Sequence, residues 1–535
     1  MQLSASQKTL QDSLSQKALH AAALFRNGMY SDAIIHLEMT LSKHASAVDY
    51  ALLSDFYFHL NNIPKALVAI KNACEIDSEN ISLQLKLVNL FLEAESYEFC
   101  QTCLENIEIK SFDSEIQFEY YYLFSRTLNQ LKDYRPALKY AEQALEIDQD
   151  HFGINLLAGE IAYKQSEFEQ AKDYFQKALI INPANHNALN YFSLLHNALG
   201  LQREAIWFYL KLLRIRKLDD IFFNLACSLL LIGKYDLGLK FYEKRKTLTA
   251  EKLTTIIEPI LWRGESLDHK TLLVYSEQGY GDNIQFCRFI KNLKAKYDCE
   301  IIYVVREWSE VLMHSLSKHI RIVSENDLKK GKIILPKCDF AILLMSLLQH
   351  LKVREKTYHL AAPYLKSTQD QIAFYRKKIK ALNLKANLKV GLVWAGSKDY
   401  GNDLNRSLSA EKLLPLFDHQ SIAFFNLQVN EKRHDLDQYD LKNFYHLLPE
   451  KPDFNVSAAL IENLDLVISV DTAIAHLSGA LFKPVWCLIN KDPDWRWGLS
   501  ENKTNWYPTM QLFKQSNFGD WDEVIQRVNV QLKTF

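Results

Sequence analysis

Leu464 to Ile489 reads LDLVISVDTAIAHLSGALFKPVWCLI: an apolar run, a sharp turn, a stretch of small residues and a second apolar run. Leu464 to Val470 is apolar at almost every position, the pattern of a strand covered on both faces in a parallel sheet. Asp471 and Thr472 fall where that strand ends and a helix begins, and either side chain is of a type that caps a helix start. The first turn of a helix displays amide N–H groups without intrahelical partners and a partial positive charge, so this point is ready for an anion. Ala473, Ala475, Ser478, Gly479 and Ala480 are small enough for the helix to lie close to the sheet, and His476 falls a turn and a half into it. Pro484 is placed to stop the helix, and Val485 to Ile489 begins the next strand. Strand, anion-ready helix start and second strand make half of a nucleotide site, although the same pattern also fits any α/β crossover.

Working outward, 535 residues are enough for about three domains at ~150 residues each. Hydrophobic residues are 48% and charged residues 24%, so large cores can be buried. With 63 basic against 64 acidic side chains, the composition argues against binding to a nucleic-acid backbone or an anionic membrane surface. The opening MQLSASQKTLQDSLSQ lacks the apolar centre of a signal peptide, and no run approaches the ~18 apolar residues that span a bilayer. The 8 cysteines are scattered, which fits a reducing cytoplasm. Cys100 and Cys103 form a CxxC without a second pair, so they read as core packing and not as a zinc site. The expectation is a soluble cytoplasmic protein.

Upstream, the first half repeats. Small residues before an apolar or aromatic stripe recur at Ala33, Ala66, Cys100, Ala137, Ala171, Ala205 and Gly238, in steps of 33, 34, 37, 34, 34 and 33 residues. That period is the signature of the tetratricopeptide repeat, in which small residues let paired helices approach and aromatics fill the gap to the next pair. Phe152 to Asn185 is the clearest copy, with Gly159, Ala171, Phe175, Ala178 and Pro183 at the expected offsets. Seven repeats over residues 14–246 predict an α-solenoid whose concave face takes a protein or peptide, or serves packing and homo-oligomerisation.

Near residue 250 the period changes to short β runs alternating with helices. Thr271 to Tyr275 leads into SEQGYGDNIQF, where Gly279, Gly281 and Asp282 precede a helix expected from Asn283. A strand, a GxGD turn and a helix open a Rossmann-like domain, and the spacing is not the GxGxxG of dinucleotide sites. Glycines there allow a tight turn and a close substrate, and Asp282 lies at the carboxyl edge of the strand. Further strands are expected at Glu300 to Arg306, Arg321 to Val323 and Phe340 to Leu343, then a helix from Gln369 to Leu382. Lys389 to Ala395 opens a second half and runs into GSKDYGNDLNRSL, which places Lys398 and Arg406 near the sheet edge, Arg being suited to grip a diphosphate by its planar fork. The DPD at Asp492 to Asp494 has the look of a metal-binding pair, but Pro493 and the crowding tryptophans make it a structural turn. No His/Cys cluster or acidic pair has metal spacing.

These segments carry a resemblance. EQGYGDNIQFCRF (277–289), GLVWAGSKDYGNDLNRSL (391–408), the opening stretch through Trp486, PDWRWGL (493–499) and NWYPTMQLFKQ (505–515) resemble bacterial proteins that join tetratricopeptide repeats to a glycosyltransferase of the GT-B fold. The catalytic part is similar to the heptosyltransferases of glycosyltransferase family 9, and the layout is similar to the O-linked N-acetylglucosamine transferases. The resemblance implies an α-solenoid (14–246) followed by two Rossmann-like α/β halves, an acceptor half (260–382) and a nucleotide-sugar half (383–535). It implies an inverting, metal-independent hexosyl- or heptosyltransferase that needs no cofactor beyond its nucleotide-sugar donor. By motif, Asp282 would be the general base. Lys398, Arg406, Asp471, Thr472, Ala473 and His476 would meet the donor, and Gly279, Tyr280 and Gly281 would face the acceptor. Tyr280 stands where the relatives commonly carry a smaller aliphatic residue, which bears on acceptor shape. Two other expectations remain open: a repeat scaffold with a degenerate nucleotide-binding domain, and a transferase acting on a glycan or small acceptor.

Overall fold

The small residues spaced along the first half are the points where helices touch. The computed structural model describes residues 16–43, 46–248, 260–353, 363–398, 401–500 and 502–535; Leu14, the expected start of the repeats, lies outside the described residues, as do Asp399 and Tyr400 of the charged loop. Among the described residues, the first compact unit, which ends at Leu195, holds five helix pairs: α1 (Gln16–Arg26) with α2 (Tyr30–Leu41), α3 (Ala47–His59) with α4 (Ile63–Ile76), α5 (Ile81–Glu93) with α6 (Tyr97–Glu105), α7 (Ser114–Gln130) with α8 (Tyr134–Ile147), and α9 (Phe152–Lys164) with α10 (Phe168–Ile181). Each pair packs on the next, the arrangement of a helical repeat solenoid. Ala33, Ala66, Cys100, Ala137 and Ala171 are fully buried at these contacts. The Ser54 and Ser125 hydroxyls donate across their pairs to the Ala66 and Ala137 carbonyls, each at 2.9 Å. A Cβ on Gly159 would lie 2.6 Å from the Phe175 ring, so glycine there is required by close approach.

Each pair is turned by a residue in the left-handed backbone region: Gly28, Asn61, Glu95, Lys132, Ser166, Gly200 and Gly233. They recur at the same spacing as the small residues, yet four of the seven carry side chains, so composition does not reveal them. The three-residue insertion after Cys100 is taken up by a 3₁₀ turn at Ile109–Ser111. The CxxC is core material: Cys100 is buried and its thiol donates to the Val88 carbonyl at 3.5 Å.

The chain continues through α11 (His186–Ala198), within which the second unit begins at His196, and α12 (Gln202–Ile215). The next pair, α13 (Asp219–Leu231) with α14 (Tyr235–Tyr242), is followed by a short helix, α15 (Arg245–Leu248). Ala226, Leu230, Leu231, Leu239 and Tyr242 belong to the same apolar core as Leu272, Val274, Ile284 and Phe286. The last repeat is therefore continuous with the α/β part, and the change of period near residue 250 is not a break in packing.

The α/β part holds two parallel sheets. The first runs β1 (Ile260–Leu261), β5 (Phe340–Leu343), β2 (Thr271–Tyr275), β3 (Glu300–Val305), β4 (Ile320–Ser324). The sequence reading missed β1, a two-residue exposed edge that pairs with β5 at Ile260↔Phe340. The second runs β11 (Met510–Lys514), β10 (Val485–Ile489), β9 (Leu466–Val470), β6 (Leu388–Val393), β7 (Ile422–Asn426), β8 (Phe444–Tyr445). The order reverses between β6 and β9, the place where open α/β sheets leave a crevice at their carboxyl ends. All five residues of β9 and of β10 are buried, each large aliphatic contributing roughly 1.5–3 kcal/mol.

The remaining helices position the site. After β2 comes α16 (Tyr280–Phe286), which bends at Cys287 into α17 (Arg288–Lys296). Later come α18 (Gln369–Ala381), α19 (Asp403–Arg406), α20 (Phe454–Ile461), α21 (Ala473–Ala480) and α22 (Trp521–Leu532). The first of these, α16, begins three residues before the expected Asn283, because Gly279 serves as its N-cap. In α21 the stop is not Pro484: the helix ends at Ala480, Phe482 turns left-handed, and the Lys483 N–H donates to the Ser478 carbonyl at 3.0 Å. Among the described residues no helix is long and apolar enough to cross a membrane.

Candidate active site

The carboxyl ends of the two sheets face a cleft of about 860 Å³. The first sheet supplies the turn after β2 (Gln278 to Asp282) and Arg306 after β3. The second supplies Ala395 to Ser397 after β6, Leu427 to Asn430 after β7, and Asp471 to Ile474 after β9. Arg406, Phe454, His476, Asp494 and Arg496 also line it. Of the sequence-predicted residues, the cleft collects Gly279, Tyr280, Gly281, Asp282, Arg406, Asp471, Thr472, Ala473 and His476. Lys398 is exposed on the loop after β6 and is not in the lining.

Asp282 sits at the third position of α16. Its Oδ2 accepts the Gly279 N–H at 2.9 Å, half of a capping box, and its Oδ1 accepts Arg496 Nη2 at 2.7 Å from the opposite half. The tight turn before it rests on Gln278, whose φ is 54°, and not on a glycine. Gly281 serves a different purpose, because a Cβ there would lie 2.8 Å from His476 Cδ2 and 3.6 Å from Ala473 Cα. Bare backbone at Gly281 lets α16 and α21 touch across the cleft floor. The His476 ring cannot retreat, since Tyr507 and Trp497 pin it. Gly281→Ala is therefore expected to cost ~1–3 kcal/mol, read as a lower Tm of the second unit; an unchanged Tm would show that the helices slide apart freely.

Neither expected cap closes the start of α21. The Asp471 Oδ2 accepts the Trp497 indole N–H at 2.8 Å, and the Thr472 hydroxyl meets the Ser469 hydroxyl at 3.1 Å. With both side chains occupied elsewhere, no side-chain oxygen caps the helix and its first-turn amides border the cleft. Burial pushes the Asp471 carboxyl above its ordinary value. Arg406 lies beside it: Nη1 donates to the Asp471 carbonyl at 3.2 Å and Nε to Asp403 Oδ1 at 2.9 Å. The guanidinium packs over Gly396, where any side chain would collide with it.

Burial first, then the nearby Arg496 and Arg288, pushes the His476 imidazole well below the ordinary range. Its Nδ1 is 3.0 Å from the Tyr507 hydroxyl, and the ring stacks on Trp497 with centroids 5.2 Å apart. It stiffens the helix behind the site.

Sequence reasoning took the PDWRW segment for a turn and missed its chemistry. Asp494 does shape that turn, accepting the Arg496 N–H at 3.1 Å, but it also pairs with Arg496 Nε at 2.9 Å. Burial and neighbouring Asp494 push Asp492 up to about 7. Tyr280 forms an aromatic shelf on the first-sheet side, 5.1 Å from Phe454 and 5.2 Å below Arg306. Arg288 ties the halves together, donating to the Trp506 carbonyl at 2.7 Å and the Tyr364 hydroxyl at 2.8 Å.

Helical repeats followed along the chain by two parallel sheets that meet at a cleft define the class; comparison with known proteins makes it more specific. Residues 422–517 match the model of glycosyltransferase family 9 (heptosyltransferase), and residues 118–151 and 153–185 match the tetratricopeptide repeat. The chain thus carries tetratricopeptide repeats and a glycosyltransferase family 9 domain. Protein FlbA of Caulobacter vibrioides is 22% identical over 333 residues, 58% of this chain and 55% of FlbA. A TPR repeat-containing protein of Methanocaldococcus jannaschii is 24% identical over 193 residues, 35% of this chain and 34% of that protein. The chain spans about half the length of the first relative and about a third of the second. Among solved structures, Pseudomonas aeruginosa PilF aligns at 18% identity and a TM-score of 0.34, covering 39% of this chain and 93% of that one.

Proposed function

We propose that the chain is an inverting, metal-independent glycosyltransferase of the GT-B type, moving a hexose or heptose from a nucleotide-sugar donor to a protein acceptor brought by the repeats. The observation that carries this reading is the cleft itself. It sets a carboxylate, Asp282, on the first sheet opposite an uncapped helix start and Arg406 on the second. Displacing a nucleoside diphosphate needs an acceptor hydroxyl that gives up its proton and a leaving group whose charge is met. Asp282 takes the proton as the acceptor oxygen attacks the anomeric carbon, a contribution of ~10²–10⁴-fold. Arg406 and the amides of Thr472 and Ala473 meet the departing diphosphate, where oriented donors often contribute more. Asp471 holds Trp497, and His476 braces the helix from behind. Tyr280, Phe454 and Arg306 form the acceptor shelf, with Gly279 and Gly281 at its edge.

Metal independence is supported by occupied carboxylates: Asp494 is engaged by Arg496, so the DPD pair does not present two open oxygens. The test is a thermal-shift screen of nucleoside diphosphates and their sugars. A ligand at ~100 Kd adds ~2.7 kcal/mol to the folded state, and EDTA is expected to leave that shift intact. A shift that needs a divalent ion would overturn the metal-free reading and return attention to Asp492 and Asp494. No shift with any nucleotide would favour the repeat scaffold.

A further inference from the structure

Arg496 takes no part in that chemistry, yet its place is unusual. It comes from the loop after β10, lies nine-tenths buried with 9% of its side chain exposed, and reaches across the cleft to Asp282 at 2.7 Å. Its ring contacts, 5.8 Å to Phe286 and 5.7 Å to Trp495, hold the guanidinium plane between the halves. It lines the cleft on one side and, on the other, a second cavity of about 720 Å³ against the turns of the last repeats. The carboxylate proposed as base is thus neutralised by a cation from the donor half, with its other oxygen already taken by the Gly279 N–H. Both oxygens of that carboxylate therefore have partners already, and neither is open to an acceptor hydroxyl while Arg496 holds its place.

Resting on the transferase reading, we infer that Arg496 is a donor-sensing positioning residue: the donor diphosphate competes with Asp282 for its guanidinium, and Asp282 is released to act as base once the donor is in place. A diphosphate carries more charge than one carboxylate and offers several acceptor oxygens to the planar fork, so it wins that competition. Asp494 on Nε keeps the arginine tethered while Nη2 changes partner. Donor would bind first and acceptor second, and the base would stay quenched in the meantime.

Inorganic pyrophosphate is the probe, titrated calorimetrically into the full-length chain and its variants. Asp282→Asn removes the competitor and is expected to tighten pyrophosphate about tenfold, the scale of one charge-assisted hydrogen bond. Arg496→Gln is expected to weaken it about tenfold, and adding Asp282→Asn to that variant should change affinity by less than about threefold. Unchanged or weaker binding by Asp282→Asn alone, or the same gain with glutamine at 496, overturns the inference. Because Arg496→Gln is the variant at risk of misfolding, the Asp282→Asn arm decides by itself. Arg406→Ala separates the two readings. Binding that Arg406→Ala abolishes while Asp282→Asn leaves it unmoved sinks only the Arg496 inference. No binding by the unmodified chain sinks the donor site as well.

Discussion

Asp282→Asn is expected to lower the rate of sugar transfer ~10²–10⁴-fold without weakening donor binding. The substitution keeps shape and keeps an oxygen for the Gly279 N–H, so the helix start at α16 survives. What it removes is what a cap does not need: the charge that pairs with Arg496 and the capacity to take a proton. Arg406→Ala is the counterpart, expected to weaken the donor as well as turnover, because it takes a cation from the Asp471 side of the cleft. The split between the two variants is what identifies an enzyme with a base on one half and a donor on the other. A helix-capping role alone predicts near-normal transfer by Asp282→Asn, and that result, with whichever donor the thermal screen identifies, would falsify the proposed mechanism. A scaffold with a degenerate domain predicts no transfer by any form.

The sequence was most informative where a local rule decides the structure. Leu464 to Val470 is apolar at every position but Asp465 and Ser469, a run typical of a doubly covered strand, so β9 and β10 are legible nearly to the residue. The repeat period was equally open, because every pair needs a small residue at the same contact. The site itself was only half open. Asp282 and Asp471 follow directly on the turns after β2 and β9, where position follows from topology, Arg406 closes the short helix α19 in the loop after β6, and the structure brings all three to one cleft. Arg496 and Trp497 were not legible, since their partners Asp282 and Asp471 are 214 and 26 residues away and no pattern in PDWRW announces them. The purpose of Gly281 was misread for a similar reason: the atom it makes room for belongs to His476 on the other half.

The same limit hid the join between the repeats and the site. The Tyr242 hydroxyl at the end of α14 lies 3.4 Å from Gln278 Oε1, the left-handed residue of the turn that carries Asp282. Next to it, Arg245 is almost fully buried and pairs with Glu277 through Nε at 2.9 Å and Nη2 at 2.8 Å. Nothing in the helical period marks either residue, because their partners lie in the α/β part. The last repeat is thereby built into the turn that carries Asp282 and does more than lead up to it.

Glu277→Ala is accordingly expected to destabilise the second unit by roughly 3–5 kcal/mol, the cost of leaving a buried charge without its partner. The loss falls at the large end because Glu277 is engaged three ways: Oε1 also accepts the Met345 N–H at 2.9 Å, so alanine strands a backbone donor as well as a guanidinium. Glu243, the other acid near Arg245 at 3.0 Å, is partly exposed and supplies incomplete compensation. All 9 tryptophans fall between Trp207 and Trp521, within the second unit, so tryptophan fluorescence in a urea titration follows this unit without signal from the first. Replacing the pair together, Arg245→Met with Glu277→Leu, should recover part of the loss, because two apolar side chains need no desolvated charge. Recovery should remain incomplete, since the Met345 N–H and the Ser346 hydroxyl, 2.9 Å from Arg245 Nη2, then lose their partners. Transfer activity should not return in step with stability, for the double variant restores packing without the two-pronged grip that fixes the turn before Asp282. A loss below ~1 kcal/mol for Glu277→Ala would place the pair with ordinary surface bridges and leave the repeats without a rigid hold on the site.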